Sequence, residues 1–174
     1  DSLCACKIIC NPGYYQDKTG QSSCKTCVAG MYQDQSARND CKSCGMGKFG
    51  DQTGMTSCKS CGTGKYNDLV QRTTASGCKS DCNAGSYILS DKSACQACEK
   101  GQWQNQDGQS DCINCGIGKY NDQTQRTAEA GCKKCGTGKF NDKTQSAAEA
   151  DCENCGTGKY NDQTAQVSQT ACKV

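Results

Sequence analysis

Apolar positions are few in this chain, and they are regularly placed. Three Leu, five Ile, four Val and two Phe make 14 of 174 residues, about 8%. A chain below about 20% in these residues does not build an ordinary core. The large side chains that remain are aromatic, and they follow a lattice. Nine cysteines have Gly at the third position after them: Cys10, Cys27, Cys44, Cys61, Cys82, Cys98, Cys115, Cys135 and Cys155. At the fifth position each of these openers has an aromatic: Tyr15, Tyr32, Phe49, Tyr66, Tyr87, Trp103, Tyr120, Phe140 and Tyr160. Of ten aromatics only Tyr14 is off this lattice. The segment between is polar and in places nearly literal, as in "CGTGKYND" at Cys61 and again at Cys155. Self-similarity at this spacing marks a chain of repeated supersecondary units.

Each unit ends on a second cysteine: Cys24, Cys41, Cys58, Cys78, Cys95, Cys112, Cys132, Cys152 or Cys172. The intervening segment has 12 or 13 residues in five units and 16 in the four that open at Cys61, Cys115, Cys135 and Cys155. Three of the five short units turn at glycine, at Gly20, Gly54 and Gly108. Long units replace that glycine with stretches such as "SAAEADC", in which Ser146 and Glu149 have capping-box spacing. The pattern therefore predicts tight β-hairpins in the short units, and hairpins carrying about one helical turn in the long ones. The expected boundaries are an N-terminal half-unit at 1–9, then nine modules at 10–26, 27–43, 44–60, 61–81, 82–97, 98–114, 115–134, 135–154 and 155–174. Gly in the first arm allows an unusual backbone angle or a close approach. The aromatic is expected to pack on a neighbouring disulfide or on the next module's backbone. The Asn-Asp pair after it suits a turn.

Twenty cysteines, about 11% of the chain, exceed the level that marks a disulfide scaffold. That points to an oxidising setting: extracellular, or a cell or virion surface. The first residue is Asp1, as expected for a fragment or for a chain whose leader has been removed. No apolar run approaches membrane-spanning length, so no insertion into a bilayer is expected. Twenty basic against 18 acidic residues give a net charge of +2, too small a basic surplus for a nucleic-acid partner. Histidine is absent, which removes the commonest general base. No catalytic residue and no cofactor is expected.

Seven CxxC pairs bring zinc into consideration. Three features oppose it. Histidine is missing, Cys172 has no CxxC mate, and the three-residue insertions all fall between opener and closer. A catalytic thiol pair lacks the βαβ scaffold it needs. The remaining reading is nine short-loop disulfides: Cys10–Cys24, Cys27–Cys41, Cys44–Cys58, Cys61–Cys78, Cys82–Cys95, Cys98–Cys112, Cys115–Cys132, Cys135–Cys152 and Cys155–Cys172. Nearest-neighbour closure fits both loop sizes with one rule and leaves no C-terminal orphan. A loop of this size contributes about 3 kcal/mol at most in the chain-entropy model. Backbone hydrogen bonds and aromatic stacking between modules must supply the rest.

"CVAGMYQDQSARNDCKSC" from Cys27 and "CGMGKFGDQTGMTSCKSC" from Cys44 carry a resemblance to known modules. The pattern resembles the cysteine-rich repeats of ephrin-receptor-like modules and of the tumour necrosis factor receptor superfamily. It extends from Cys10 to Cys172. The resemblance implies a loop closed by a disulfide between its own ends, and an elongated, ladder-like architecture. Receptor ectodomains of that kind alternate the small module with a larger two-disulfide one, whereas here one module repeats.

The expected fold is thus small and disulfide-rich: an elongated solenoid-like rod of tandem hairpins, with little regular secondary structure and little hydrophobic core. In such an array each module touches only its neighbours. The leading functional expectation is an extracellular stalk or filament subunit, and the alternative is the ligand-binding ectodomain of a receptor. Partners would be copies of the chain itself or an extracellular protein. Asp68 and Asp162 read as turn caps, with calcium as the competing reading. Lys65, Lys119, Lys139 and Lys159 read as solvated. Thr19, Thr53, Thr124, Thr144 and Thr164 are candidates for O-linked sugars. The segment from Cys82 to Gln106, which holds the only Trp, is where a partner patch would lie. Nine pairs leave Cys4 and Cys6 over, so these two are candidates for a contact between subunits.

Overall fold

The structure, a computed structural model, describes residues 8–80 and 82–174. Cys4 and Cys6 lie outside the described residues. Contacts divide the chain into two units, one formed by Asp1–Ser80 with Leu89–Ala94 and the other by Asp81–Ile88 with Cys95–Val174.

Both units are built from small antiparallel hairpins. In the first, Tyr14–Tyr15 pairs with Lys25–Thr26, Met31–Tyr32 with Lys42–Ser43, and Lys48–Phe49 with Lys59–Ser60. In the second, Ser86–Ile88 pairs with Cys95–Ala97, Gln102–Trp103 with Ile113–Asn114, Lys119–Tyr120 with Lys133–Lys134, and Lys139–Phe140 with Glu153–Asn154. The modules opening at Cys61 and Cys155 close through single bridges, Tyr66 to Lys79 and Tyr160 to Lys173. The aromatic of the first arm is paired every time with the residue that follows the closing cysteine. Disulfides join Cys10 to Cys24, Cys27 to Cys41, Cys44 to Cys58, Cys61 to Cys78, Cys82 to Cys95, Cys98 to Cys112, Cys115 to Cys132, Cys135 to Cys152 and Cys155 to Cys172. Their Cα atoms stand 5.6–5.8 Å apart, the ordinary spacing for a bridge.

Sulfur and amide groups take the place of an aliphatic core. The openers from Cys10 to Cys135 are buried, each at most 1% exposed. Phe49 packs with Cys61 and Cys78, and Tyr120 with Cys135 and Cys152. The aromatic of one module therefore lies against the disulfide of the next.

A backbone ladder joins successive modules within each unit. The N–H of the first-arm glycine donates to the carbonyl that follows the next module's aromatic, as in Gly30 to Gly50 (2.8 Å) and Gly101 to Asn121 (2.8 Å). The next opener's N–H returns a bond to the same glycine's carbonyl, as in Cys44 to Gly30 (2.9 Å) and Cys115 to Gly101 (2.7 Å). Hydrogen bonds of this kind leave few buried backbone groups unpaired, which matters in a chain without apolar bulk.

Two expectations need correction. Contacts are not confined to neighbours. A Cβ built on Gly30 would lie 2.6 Å from the Gln71 carbonyl oxygen, two modules on, and one built on Gly85 would lie 2.6 Å from that of Gln125. Glycine is required there because another backbone occupies the side-chain position, and because φ is +83° at both. The second correction concerns the loops. The long modules do not lose the left-handed turn position, because Gln71, Gln125, Gln145 and Ala165 adopt φ of 58–60° where three short modules have Gly20, Gly54 and Gly108 and the other two have Ala37 and Lys92, themselves at φ of 59° and 60°. Each of the four long-module residues is held by its own N–H donating to the preceding module's opening cysteine, as in Gln71 to Cys44 (2.8 Å) and Gln125 to Cys98 (2.8 Å). The extra residues come afterwards, as the 3-10 turns Ala75–Gly77, Glu129–Gly131, Glu149–Asp151 and Gln169–Ala171. Ser146 and Glu149 do not form the expected capping box. The Asp151 carboxylate accepts from Ala147 (2.7 Å) and Ala148 (2.9 Å) instead, and the Ser146 hydroxyl accepts from Asn141.

Candidate functional site

Two sets of side chains recur from module to module, one buried and one on the surface. The buried set stands at the sixth position after the opener. Gln33, Asn67, Asn121 and Asn141 are at most 1% exposed there, and Gln104 and Asn161 are 5% exposed. The Asn residues clamp modules together. Nδ2 of Asn67 donates to the Lys48 carbonyl (2.9 Å), that of Asn121 to Gln102 (2.8 Å), and that of Asn141 to Lys119 (3.1 Å). Each acceptor lies in the preceding module. The Oδ1 atoms accept from the N–H two residues on, at Leu69, Gln123 and Lys143. That second bond is the turn role expected of Asn; the first was not visible. The Gln residues act within their own loop, where Nε2 of Gln33 donates to the Asp40 carbonyl and that of Gln104 to Asp111, both at 2.8 Å. Recurrence of an amide at this position was the signal in the sequence.

The surface set is a triad. A Lys directly after the closer reaches across the hairpin to the Asp at the seventh position after the opener. The pairs are Lys25–Asp17 (2.6 Å), Lys42–Asp34 (2.7 Å), Lys59–Asp51 (2.8 Å), Lys79–Asp68 (2.8 Å), Lys133–Asp122 (2.8 Å) and Lys173–Asp162 (3.1 Å). In five of these modules the same ammonium stands 5.7–6.0 Å from the ring centre of Tyr15, Tyr32, Tyr66, Tyr120 or Tyr160. The lysine hydrogen bond holds each of the six aspartates below its ordinary pKa. It also raises Lys25 and Lys133. Solvent screens such pairs, so their contribution to stability is small. Asp68 and Asp162 are therefore ion-paired. Lys119 and Lys139 are likewise paired, with Glu129 (2.7 Å) and Glu149 (3.2 Å) of their own modules' 3-10 turns. These lysine partners were missed in the sequence, where the signal was a Lys after six of the nine closers.

Three modules lack the lysine of the triad. Across from Phe140 stands Glu153, which pairs with Lys143 at 3.4 Å. Across from Tyr87 stands Gln96, and across from Trp103 stands Ile113. The aspartate position of the Trp103 module is Asn105.

In the first unit an open groove of about 750 Å³ is lined by Tyr32, Met46, Lys48, Ser60, Asp91 and Lys92 among others. Its Lys92 ammonium is taken up by the Cys61 carbonyl (2.5 Å), and its Asp91 carboxylate by the Ser93 hydroxyl (2.7 Å). No group of three or more His, Cys, Asp or Glu side chains is placed to hold a metal among the described residues. The cysteines of the zinc reading are joined to one another as disulfides.

Residues 85–132 match the family model described as tyrosine-protein kinase ephrin type A/B receptor-like. Over those 48 of 174 residues the chain is similar to ephrin-receptor-like cysteine-rich repeats, and disulfide-closed hairpins of the same kind stand on either side of them. The matched stretch runs from Gly85 to Cys132 and so covers the hairpins of Tyr87 and Trp103 and the Tyr120 module up to its closing cysteine. No curated protein matches the chain. The matching family is a receptor-like module and not an enzyme family. Nine disulfides and a module of this kind fit an extracellular or surface location.

Proposed function

We propose that the chain is an extracellular structural repeat, a stalk or a subunit of a filament or surface fibre, whose partners include copies of itself. The observation that supports this most is the sameness of the joints. The glycine-to-carbonyl bond, the returning cysteine-to-glycine bond and the buried amide recur from one module to the next. A repeat stabilised by nearest and next-nearest modules gains cohesion with every module added. Interchangeable modules suit a spacer, because a specific ligand site needs a locally distinct patch. Cys4 and Cys6 are proposed to lie at the contact between copies. Electron microscopy and sedimentation of the purified chain test the reading: polymers are expected, and replacing Cys4 and Cys6 with Ser should shorten or abolish them. Only monodisperse single chains, or polymers unchanged by both replacements, would refute it. The matched family favours a second reading, an ectodomain that binds a protein ligand. A single saturable protein partner and no self-association would select that reading.

A further inference from the structure

Of the three hairpins without the triad's lysine, those of Tyr87 and Trp103 are consecutive and lie in the same unit. They are joined by the ladder, through Gly85 N–H to the Gln104 carbonyl (2.7 Å) and Cys98 N–H to the Gly85 carbonyl (2.8 Å). In the Trp103 module all three members of the triad are exchanged for uncharged ones: indole for phenol, Ile113 for Lys, Asn105 for Asp. In the Tyr87 module the lysine position is Gln96. Elsewhere in the unit an ammonium stands over Tyr120 and Tyr160. Among the described residues no ammonium stands over Tyr87 or Trp103 in this way, and both are partly exposed. Ile113 is 42% exposed beside the indole. The carboxamides of Gln96 and Asn105 have no hydrogen-bond partner among the described residues, so each retains a donor and an acceptor for a ligand. Gln102 and Asn114 bond each other at 2.9 Å, but strand alternation puts them on the other side of the hairpin.

We propose that this face, built from Tyr87, Gln96, Trp103, Asn105 and Ile113, binds a neutral oligosaccharide. The chemistry of the face selects that class. A sugar ring offers an apolar C–H side to an aromatic plane and hydroxyls at its rim to carboxamides. An uncharged ligand has nothing to gain from the Lys–Asp triads and would have to displace them, and here they are missing. Two successive aromatics at equivalent positions provide for two successive rings. A stable protein interface takes about 800 Å² from each side and an apolar centre. One side of two short hairpins, with Ile113 as its only exposed aliphatic, suits a smaller ligand. The inference goes beyond the structural role and does not depend on it.

Trp103 is the only Trp, so its emission reports directly on the face. The test is a fluorescence titration of the intact oxidised chain with tetrasaccharides of glucose, mannose, galactose and N-acetylglucosamine. Controls are a heparin fragment and an oligolysine peptide. At least one neutral tetrasaccharide should give a saturable change with a Kd of about 1 mM or tighter. Added salt should leave it unaltered. Trp103→Ala is read by calorimetry and Gln96→Ala by fluorescence, and each should weaken binding at least tenfold. The decisive variant combines Ile113→Lys with Asn105→Asp, which installs the triad that other modules already carry and so remains compatible with the fold. It should abolish sugar binding while leaving thermal unfolding unchanged. No response to any neutral tetrasaccharide would overturn the proposal. So would undiminished binding in the triad variant, or a response only to heparin, to oligolysine or to the chain's own concentration.

Discussion

Replacing Asn121 tests whether amides do the work that aliphatic side chains do elsewhere. Asn121 is fully buried. Its Nδ2 donates to the Gln102 carbonyl at 2.8 Å, and its Oδ1 accepts the Gln123 N–H at 3.0 Å. Its own backbone bonds, from Gly101 and to Ser146, survive any side-chain change. Asn121→Ala removes two hydrogen bonds and strands two partners. A typical bond contributes about 1 kcal/mol net, and an orphaned buried group costs about 1–3 kcal/mol, so the expected loss is about 2–4 kcal/mol. Asn121→Asp separates geometry from volume. It keeps the acceptor for Gln123 and turns a carboxylate oxygen towards the Gln102 carbonyl. Burial, with an acceptor and no donor facing the second oxygen, raises the pKa of that carboxyl in the folded state. The destabilisation is then absent below the unfolded carboxyl pKa, about 3.9, and grows as pH rises through and above it. The variant should approach wild type in acid and fall below Asn121→Ala at neutral pH. The assay is urea unfolding of the oxidised chain followed by Trp103 emission, since Trp103 adjoins the bonded Gln102. A loss under about 0.5 kcal/mol for Ala, or a pH-independent Asp variant, would refute the clamp.

Further outcomes follow from the same geometry. Gly85→Ala should prevent native packing, because the new Cβ meets the Gln125 carbonyl, whereas Gly138→Ala meets nothing within 4 Å and should cost only the left-handed backbone penalty of about 1–2 kcal/mol; thermal melts of the two variants check the difference. Gln125→Gly, at φ +60°, should raise stability by up to about 1 kcal/mol in urea titration, and a decrease would mean the side chain does unseen work. Peptide mapping without reduction should return nine links, each inside one module, and a link that skips a module would break the repeat. The six lysine-paired aspartates have depressed pKa values, so their stabilisation is present above the ordinary carboxylate range and fades as pH falls through it. The melting temperature should be level near neutrality and decline below about pH 4, less steeply in high salt. A decline that begins near pH 6 would point to other groups.

The sequence by itself determined the unit, its number and its chemistry. Opener, glycine, aromatic and closer recur at fixed spacing, and a chain with so few aliphatic residues has only disulfides and backbone to hold it. The extra residues of the long modules were legible as helical turn for the same local reason. Tertiary structure decided what lies between modules. Asn67 and Gln33 occupy the same position in the repeat, and only the neighbouring carbonyl within reach makes one a clamp between modules and the other a brace within a loop. Gln125 takes a left-handed angle that its residue type disfavours, because the Cys98 carbonyl is there to accept its N–H. Gly30 must be glycine on account of Gln71, 41 residues away, which no pattern inside one module records. A lysine follows six of the nine closers, and only the hairpin register sets it beside an aspartate and, in five modules, over a tyrosine, as with Lys42, Asp34 and Tyr32. Spacing along a chain encodes contacts within a hairpin. Contacts between hairpins depend on how successive ones stack, which is set by backbone hydrogen bonds that carry no residue signature.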